Sequence, residues 1–186
     1  EVYLDTESDD VIDLASEINC KVLKRDSNLA SNTTDGNKLF LNEVKHVEAD
    51  IYIQILGTSP FIEKETIQKG VKAIQNKEFD SSVLIRKERL YTWNEKGPNY
   101  NIEDIPNSFD LGDTIIETMG LYIVKREAVL STRRRIGDKP YLLEATPLEA
   151  IDVNWPEDFD LANLIAAGKR EKERKLLENI KSHLTS

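Results

Sequence analysis

Apolar residues recur along this chain in two periods that take turns. Val2-Tyr3-Leu4 opens it as a short extended run, and Val11, Ile12, Leu14, Ala15 and Ile18 follow at helical spacing. Thr6, with Asp9 three residues on, marks a helix start, a capping box with Asp in place of Glu. Lys21-Val22-Leu23-Lys24 predicts a second short strand, residues 27–36 a polar loop, and Leu39, Phe40, Val44 and Val47 a second helix. Residues 51–56 are apolar almost throughout, the pattern of a strand covered on both faces of a parallel sheet. Gly57-Thr58-Ser59-Pro60 turns that strand, and residues 63–76 follow as an amphipathic helix. Strands alternating with helices at this spacing predict an α/β fold, a three-layer sandwich with a mainly parallel sheet.

From Ser82 the pattern becomes β-rich. Residues 83–86 and 90–93 read as strands, the second entering a turn at Asn94-Glu95-Lys96-Gly97, and residues 99–113 form a long polar loop. A loop of that length in a compact domain is usually functional or an interaction arm. Near the other end, Ile151-Asp152-Val153-Asn154 reads as a strand, and Pro156 with Glu157 and Asp158 behind it carries the proline and acidic first turn of a helix start. That helix runs on through Leu161, Ala162, Leu164 and Ile165. Residues 168–186 alternate charge at helical neighbour spacing with Leu176, Leu177, Ile180 and Leu184 as an apolar stripe, a charged helix packed on the body. The expected organisation is a domain over 1–167, an inserted β-rich arm at 82–113, and a terminal helix at 168–186.

Composition narrows the partners. At 186 residues and 39% hydrophobic the chain can bury one substantial core. A formal charge of −9 argues against a nucleic-acid partner, since phosphate backbones select basic faces. No apolar run approaches the ~18 residues of a membrane span and no signal-peptide pattern occurs, so a soluble, cytoplasmic protein is expected. Cys20 is the one cysteine and reads as a small apolar residue, while His46 and His183 are too few for a zinc cage. Any metal is expected to be a hard cation on oxygen ligands.

Candidate chemistry gathers at strand ends, where open α/β sheets bind ligands. Asp152 is the leading metal-ligand candidate, the alternative being a carboxylate that caps a nearby turn. Asn154 falls on the same strand face and offers an amide oxygen without charge. Thr58 and Ser59 sit where hydroxyls and free amides meet a ligand, or else form an ordinary turn before Pro60. Lys87, Arg134, Arg135 and Lys139 are cations suited to a carboxylate or phosphate, the arginines to bidentate contact, with a solvated charged loop as the alternative. Tyr91 and Trp93 alternate on a strand, as packing or as cover for a ligand.

Four segments in order carry a family resemblance. Val2-Tyr-Leu-Asp-Thr-Glu-Ser-Asp-Asp10, Asp50-Ile-Tyr-Ile-Gln-Ile-Leu-Gly-Thr-Ser-Pro-Phe61, Ile116-Glu-Thr-Met-Gly-Leu-Tyr-Ile-Val-Lys-Arg126 with Arg134-Arg-Ile-Gly-Asp-Lys-Pro-Tyr141, and Ile151-Asp-Val-Asn-Trp-Pro-Glu-Asp-Phe-Asp-Leu-Ala162 together resemble the acylneuraminate cytidylyltransferases. The resemblance implies a nucleotide-diphospho-sugar transferase-like fold with a β-rich dimerisation arm. It implies transfer of CMP from CTP to a nonulosonic, sialic-type sugar acid with release of pyrophosphate, assisted by Mg2+ on Asp152 and Asn154. It places Arg25 near the nucleotide and makes the protein a homodimer, with Thr58, Ser59, Lys87, Arg134 and Arg135 the expected substrate-binding residues. Three departures are visible. The family's second Asp is Asn154 here, its Gln-Pro before Thr-Ser-Pro is Leu56-Gly57, and its opening strand, glycine-rich basic loop and helix have no counterpart in these residues. The last departure leads to the expectation that this polypeptide alone turns over CTP feebly or not at all. A catalytically deficient, dimeric or sugar-binding remnant of the family is the second expectation.

Overall fold

The computed structural model describes residues 1–18, 20–31 and 33–184, without the side chains of 181–184, so the roles expected of His183 and Leu184 lie outside the described residues. The chain divides into two compact units. One comprises Glu1–Gln54, Glu65–Leu84 and Leu121–Leu143, the other Ile55–Lys64, Ile85–Gly120 and Glu144–Ser186.

The first unit opens with β1 (Tyr3–Thr6), α1 (Asp9–Ala15) and β2 (Lys21–Lys24). β1 and β2 pair in parallel, Tyr3 opposite Lys21 and Thr6 opposite Lys24. α1 starts two residues later than the Thr6 signal suggests. Ser8 is the cap, its hydroxyl accepting from the Val11 amide, while the Thr6 hydroxyl accepts from the Ser8 amide. The helix ends at Ala15, which leaves Ile18 outside it and 64% exposed.

α2 (Gly36–His46) is capped by Asp35, whose carboxylate accepts from the amides of Asn37 and Lys38. Its Phe40 and Val44 enter a core with Tyr52, Val124, Ala128 and Val129. These residues come from β3 (Ile51–Ile55), β7 (Thr114–Lys125) and α4 (Arg126–Thr132). α3 (Lys64–Gln75) packs through Gly70, where an added Cβ would stand 2.5 Å from Ile123 and 3.0 Å from Leu143.

The larger sheet has the order β3, β7, β4 (Ser81–Glu88), β8 (Pro140–Glu144). Arg126 donates to the Asp50 carbonyl and Leu56 to that of Gly120, so β7 runs against β3. Lys125 donates to Asp80, so it runs against β4 as well. Asp80 donates to Lys139 and Ala145 to Ile85, which makes β4 and β8 parallel. The sheet is therefore mixed, three strands pointing one way around a reversed β7, within an α/β fold of five helices among the described residues. β3 is not covered on both faces as its apolar run predicts. Tyr52 and Gln54 are buried, but Ile53 and Ile55 are 44% and 47% exposed.

In the second unit, β5 (Trp93–Asn94) and β6 (Gly97–Pro98) form a two-residue-loop hairpin in which Gly97 takes a φ of 123°. The expected strand at 90–93 thus starts only at Trp93, and Tyr91 and Trp93 pack edge-on against Tyr100. The two expected C-terminal helical segments are one helix, α5 (Pro156–Leu184), which Gly168 does not interrupt. Leu176, Leu177 and Ile180 stay exposed, so the stripe expected to pack on the body is uncovered.

Candidate active site

The turn after β3 is the best-built polar feature of the second unit. Ser59 donates its amide to the Leu56 carbonyl to close the turn. Beneath it β7 bends at Met119, whose φ of 60° is left-handed and costs a non-glycine residue energy. The next residue, Gly120, receives the Leu56 amide on its carbonyl. A Cβ on Gly120 would lie 2.5 Å from Ser59 Oγ and 2.8 Å from Ser59 Cβ, so only glycine admits this turn. Ser59 is buried, and Thr58 is exposed.

The Asp152 segment comes to the same turn, though not as a strand. Residues 151–154 are irregular, because their ladder reduces to a single bond, Val153 N–H to the Thr58 carbonyl at 2.8 Å. Asn154 Nδ2 donates to Asp152 Oδ2 at 2.8 Å, which holds the two side chains together and occupies one carboxylate oxygen. Asp158, the third residue of α5, turns back to accept from the amides of Asn154 and Trp155 at 3.0 and 2.9 Å. Asp152, Asn154, Thr58 and Ser59 are thus brought together. Beside them lies a cleft of about 350 Å³ whose wall includes Gly57, Thr58, Pro60, Val153, Phe159 and Asn163.

One residue the sequence reading missed anchors this assembly. Glu149 is 1% exposed, and its two oxygens accept from the amides of Glu63 and Thr146 at 3.1 and 3.0 Å. The Glu149 amide donates to Thr146 Oγ1, completing a capping box. Thr146-Pro-Leu-Glu149 is the S/T-x-x-E signal for that box, so half of this role was written in the sequence. The bond to Glu63, 86 residues away, was not.

Of the predicted cations, Lys87, Arg134, Arg135 and Arg25 are engaged through their side chains, while Lys139 is held through its backbone amide, which donates to the Asp80 carboxylate. In the second unit Lys87 pairs with Glu144 at 3.3 Å. In the first, Arg134 pairs with Asp138. Arg135 lies over the Tyr122 ring, 3.9 Å from its centroid, donates to the Tyr122 hydroxyl, and donates its backbone amide to Asn37 Oδ1. It braces the fold of that unit. Arg25 is held by Glu7 and stands 3.7 Å from Asp5.

The donor set suits one kind of metal. Asp152 retains one carboxylate oxygen and Asn154 its amide oxygen, and no group of three or more His, Cys, Asp or Glu able to hold a metal occurs among the described residues. Magnesium keeps several waters and uses one or two carboxylates with substrate phosphates, which this pair can accommodate; a zinc cage it is not.

An α/β fold with a built turn at a strand end and a flanking carboxylate has the layout in which open α/β sheets bind ligands. A family model described as cytidylyltransferase matches residues 1–161, and the chain belongs to that family. N-acylneuraminate cytidylyltransferase A of Danio rerio is 24% identical over 203 aligned residues, covering 99% of this chain. The chain spans about half the length of that relative, 46%. Among solved structures, CMP:2-keto-3-deoxy-manno-octonic acid synthetase complexed with CTP superposes with a TM-score of 0.65 at 16% identity, over 91% of this chain and 81% of its own. The 4-diphosphocytidyl-2C-methyl-D-erythritol synthase of Anaerococcus prevotii gives 0.62 at 12% identity, over 90% and 81%. These likenesses bear out the fold and the family resemblance. No helix among the described residues is long and apolar enough to cross a membrane.

Proposed function

We propose that the chain serves nucleotidyl transfer from CTP to a nonulosonic sugar acid, forming the CMP-sugar and pyrophosphate. The observation that carries this reading is the bond from Val153 to Thr58, which sets Asp152 and Asn154 against the turn in a chain of cytidylyltransferase family. The sugar-acid substrate is favoured by the relative named for an acylneuraminate and by the synthetase named for an octonic acid. Asp152 and Asn154 would hold Mg2+, which when bound neutralises phosphate charge as pyrophosphate departs. The chain's own residues do the rest. Thr58 lines the cleft, Glu149 and Gly120 hold the turn, and Asp158 fixes the loop bearing Asp152. We extend the proposal to feeble turnover by this polypeptide alone, because its eight glycines form no cluster able to cradle the CTP phosphates.

A non-catalytic, sugar-binding reading is favoured by one observation, the Asn154 amide that blocks an Asp152 oxygen where a second carboxylate would add charge. Pyrophosphate release measured over a panel of sugar acids and nucleotides decides between them. Release that needs both CTP and a sugar acid supports transfer. Tight sugar-acid binding in calorimetry with no release at any enzyme concentration supports the second reading and ends the first.

A further inference from the structure

The first unit buries more carboxylate than it neutralises. Asp5 on β1 has both carboxylate oxygens shut away from solvent with no hydrogen-bond donor on either. The nearest cation, Arg25 Nη1, is 3.7 Å off and beyond hydrogen-bond range, its guanidinium already bonded to Glu7. Glu43, projecting from α2, lies within hydrogen-bonding reach of Asp5. From β3, Gln54, only 9% exposed, donates Nε2 to Glu43 Oε1 at 2.8 Å, and its own Oε1 is buried without a donor. Three buried acceptor oxygens, two on Asp5 of β1 and one on Gln54 of β3, therefore have no polypeptide N–H to serve them.

Leaving buried acceptors bare is costly, and so is burying two carboxylates side by side. A single proton relieves both in part, serving one Asp5 oxygen and removing one of the two charges. Carried on Glu43, it makes that carboxyl a donor to Asp5 while the other Glu43 oxygen keeps the Gln54 amide. We infer that Asp5 and Glu43 share one proton as an acid pair, and that losing it frees the β1–β2 strands from α2. The pair is a pH-operated latch, independent of the reaction proposed above.

The electrostatics agree with the geometry. Burial first, then the Asp5 charge, pushes Glu43 up to about 7 against the pull of the Gln54 hydrogen bond and of Arg25. Burial likewise raises Asp5, opposed by Arg25, Glu43 and His46 and aided by Glu7. These are the charged and titratable groups facing the pair, from β1, α2 and the segments after β1 and β2. The sign follows. A carboxyl whose folded value is raised stabilises fully below its unfolded value of 4.5, and the contribution is lost as pH rises through about 7. That is the reverse of ordinary acid denaturation.

The test is a carbonyl-13C titration of the glutamates by NMR, with amide exchange protection of β1 and β2 followed from pH 5.5 to 8.5. Expected are a glutamate midpoint near 7 that vanishes in Glu43→Gln, and protection that falls on the order of tenfold or more from pH 5.5 up to that midpoint and levels off above it in the wild type. Glu43→Gln keeps a permanent donor toward Asp5 and should hold its protection throughout. Asp5→Asn removes the like charge and should lower the Glu43 midpoint. A Glu43 midpoint in the ordinary carboxyl range, a midpoint unmoved by Asp5→Asn, or a drop in protection as large in Glu43→Gln as in the wild type would each overturn the inference.

Discussion

At the scale of the residue, Asp152 and Asn154 divide one task unevenly. The carboxylate supplies charge, and the amide supplies position by donating to it at 2.8 Å. We predict that Asp152→Asn weakens binding of Mn2+, used as a paramagnetic stand-in for Mg2+, by about tenfold or more, with little change in melting temperature. Asn154→Asp restores a second charge and should tighten binding by a similar factor. Unchanged relaxation enhancement in both variants would remove the pair from any metal role. Glu149 differs in kind, because its oxygens satisfy backbone amides of residues far apart in sequence. Glu149→Gln places an NH2 where one of those amides must be accepted and should cost ~1–3 kcal/mol in denaturant unfolding. A cost near zero would show that the two amides find other partners. Arg135 shows what residue reading alone could not give. Arginine beside a loop looks like a ligand clamp, but only the fold reveals Tyr122 beneath it.

At the scale of the element, the period of the pattern was legible and its depth was not. Alternating strands and helices came through because each buries a face of its own. The run at 151–154 has the residues of a strand, but one backbone bond to Thr58 is all the ladder available, so it stays a loop. Residues 51–56 lack polar residues on the face that remains half open, and periodicity carries no information on what covers a face. The bend at Met119–Gly120 is the element on which the candidate site depends most. We predict that Gly120→Ala forces the Ser59 turn away from β7, costing ~1–3 kcal/mol of stability and lowering sugar-acid affinity together. Thermal melts beside calorimetric titration check this. A variant as stable as wild type and binding equally well would mean the turn shifts freely, so that Gly120 does not set the site.

At the scale of the whole molecule, exposed apolar side chains occur along the sequence, and the most exposed of them, Phe109, lies in the arm. Trp93, Ile102, Ile105 and Phe109 are 66%, 58%, 62% and 82% exposed, all within the segment first read as an arm. Its own internal bonds are polar and local, Tyr91 to the Pro106 carbonyl, Arg89 to the Phe109 carbonyl and Asp113, and Asn94 to Asn99. They shape the arm without covering those side chains. Exposed apolar groups on an inserted arm suit an association surface, and a symmetric pair is the commonest way to bury one. We predict self-association to a dimer at micromolar concentration, with Ile105→Lys and Phe109→Asp together shifting the dissociation constant upward by at least tenfold. Neither change touches the edge contacts of Tyr91 and Trp93 with Tyr100, so the arm keeps its fold and near-ultraviolet dichroism should be unaltered. Sedimentation velocity across concentrations decides it. A wild-type chain that sediments as a monomer up to the highest concentration, or a dimer indifferent to both substitutions, would place the subunit contact elsewhere or abolish it.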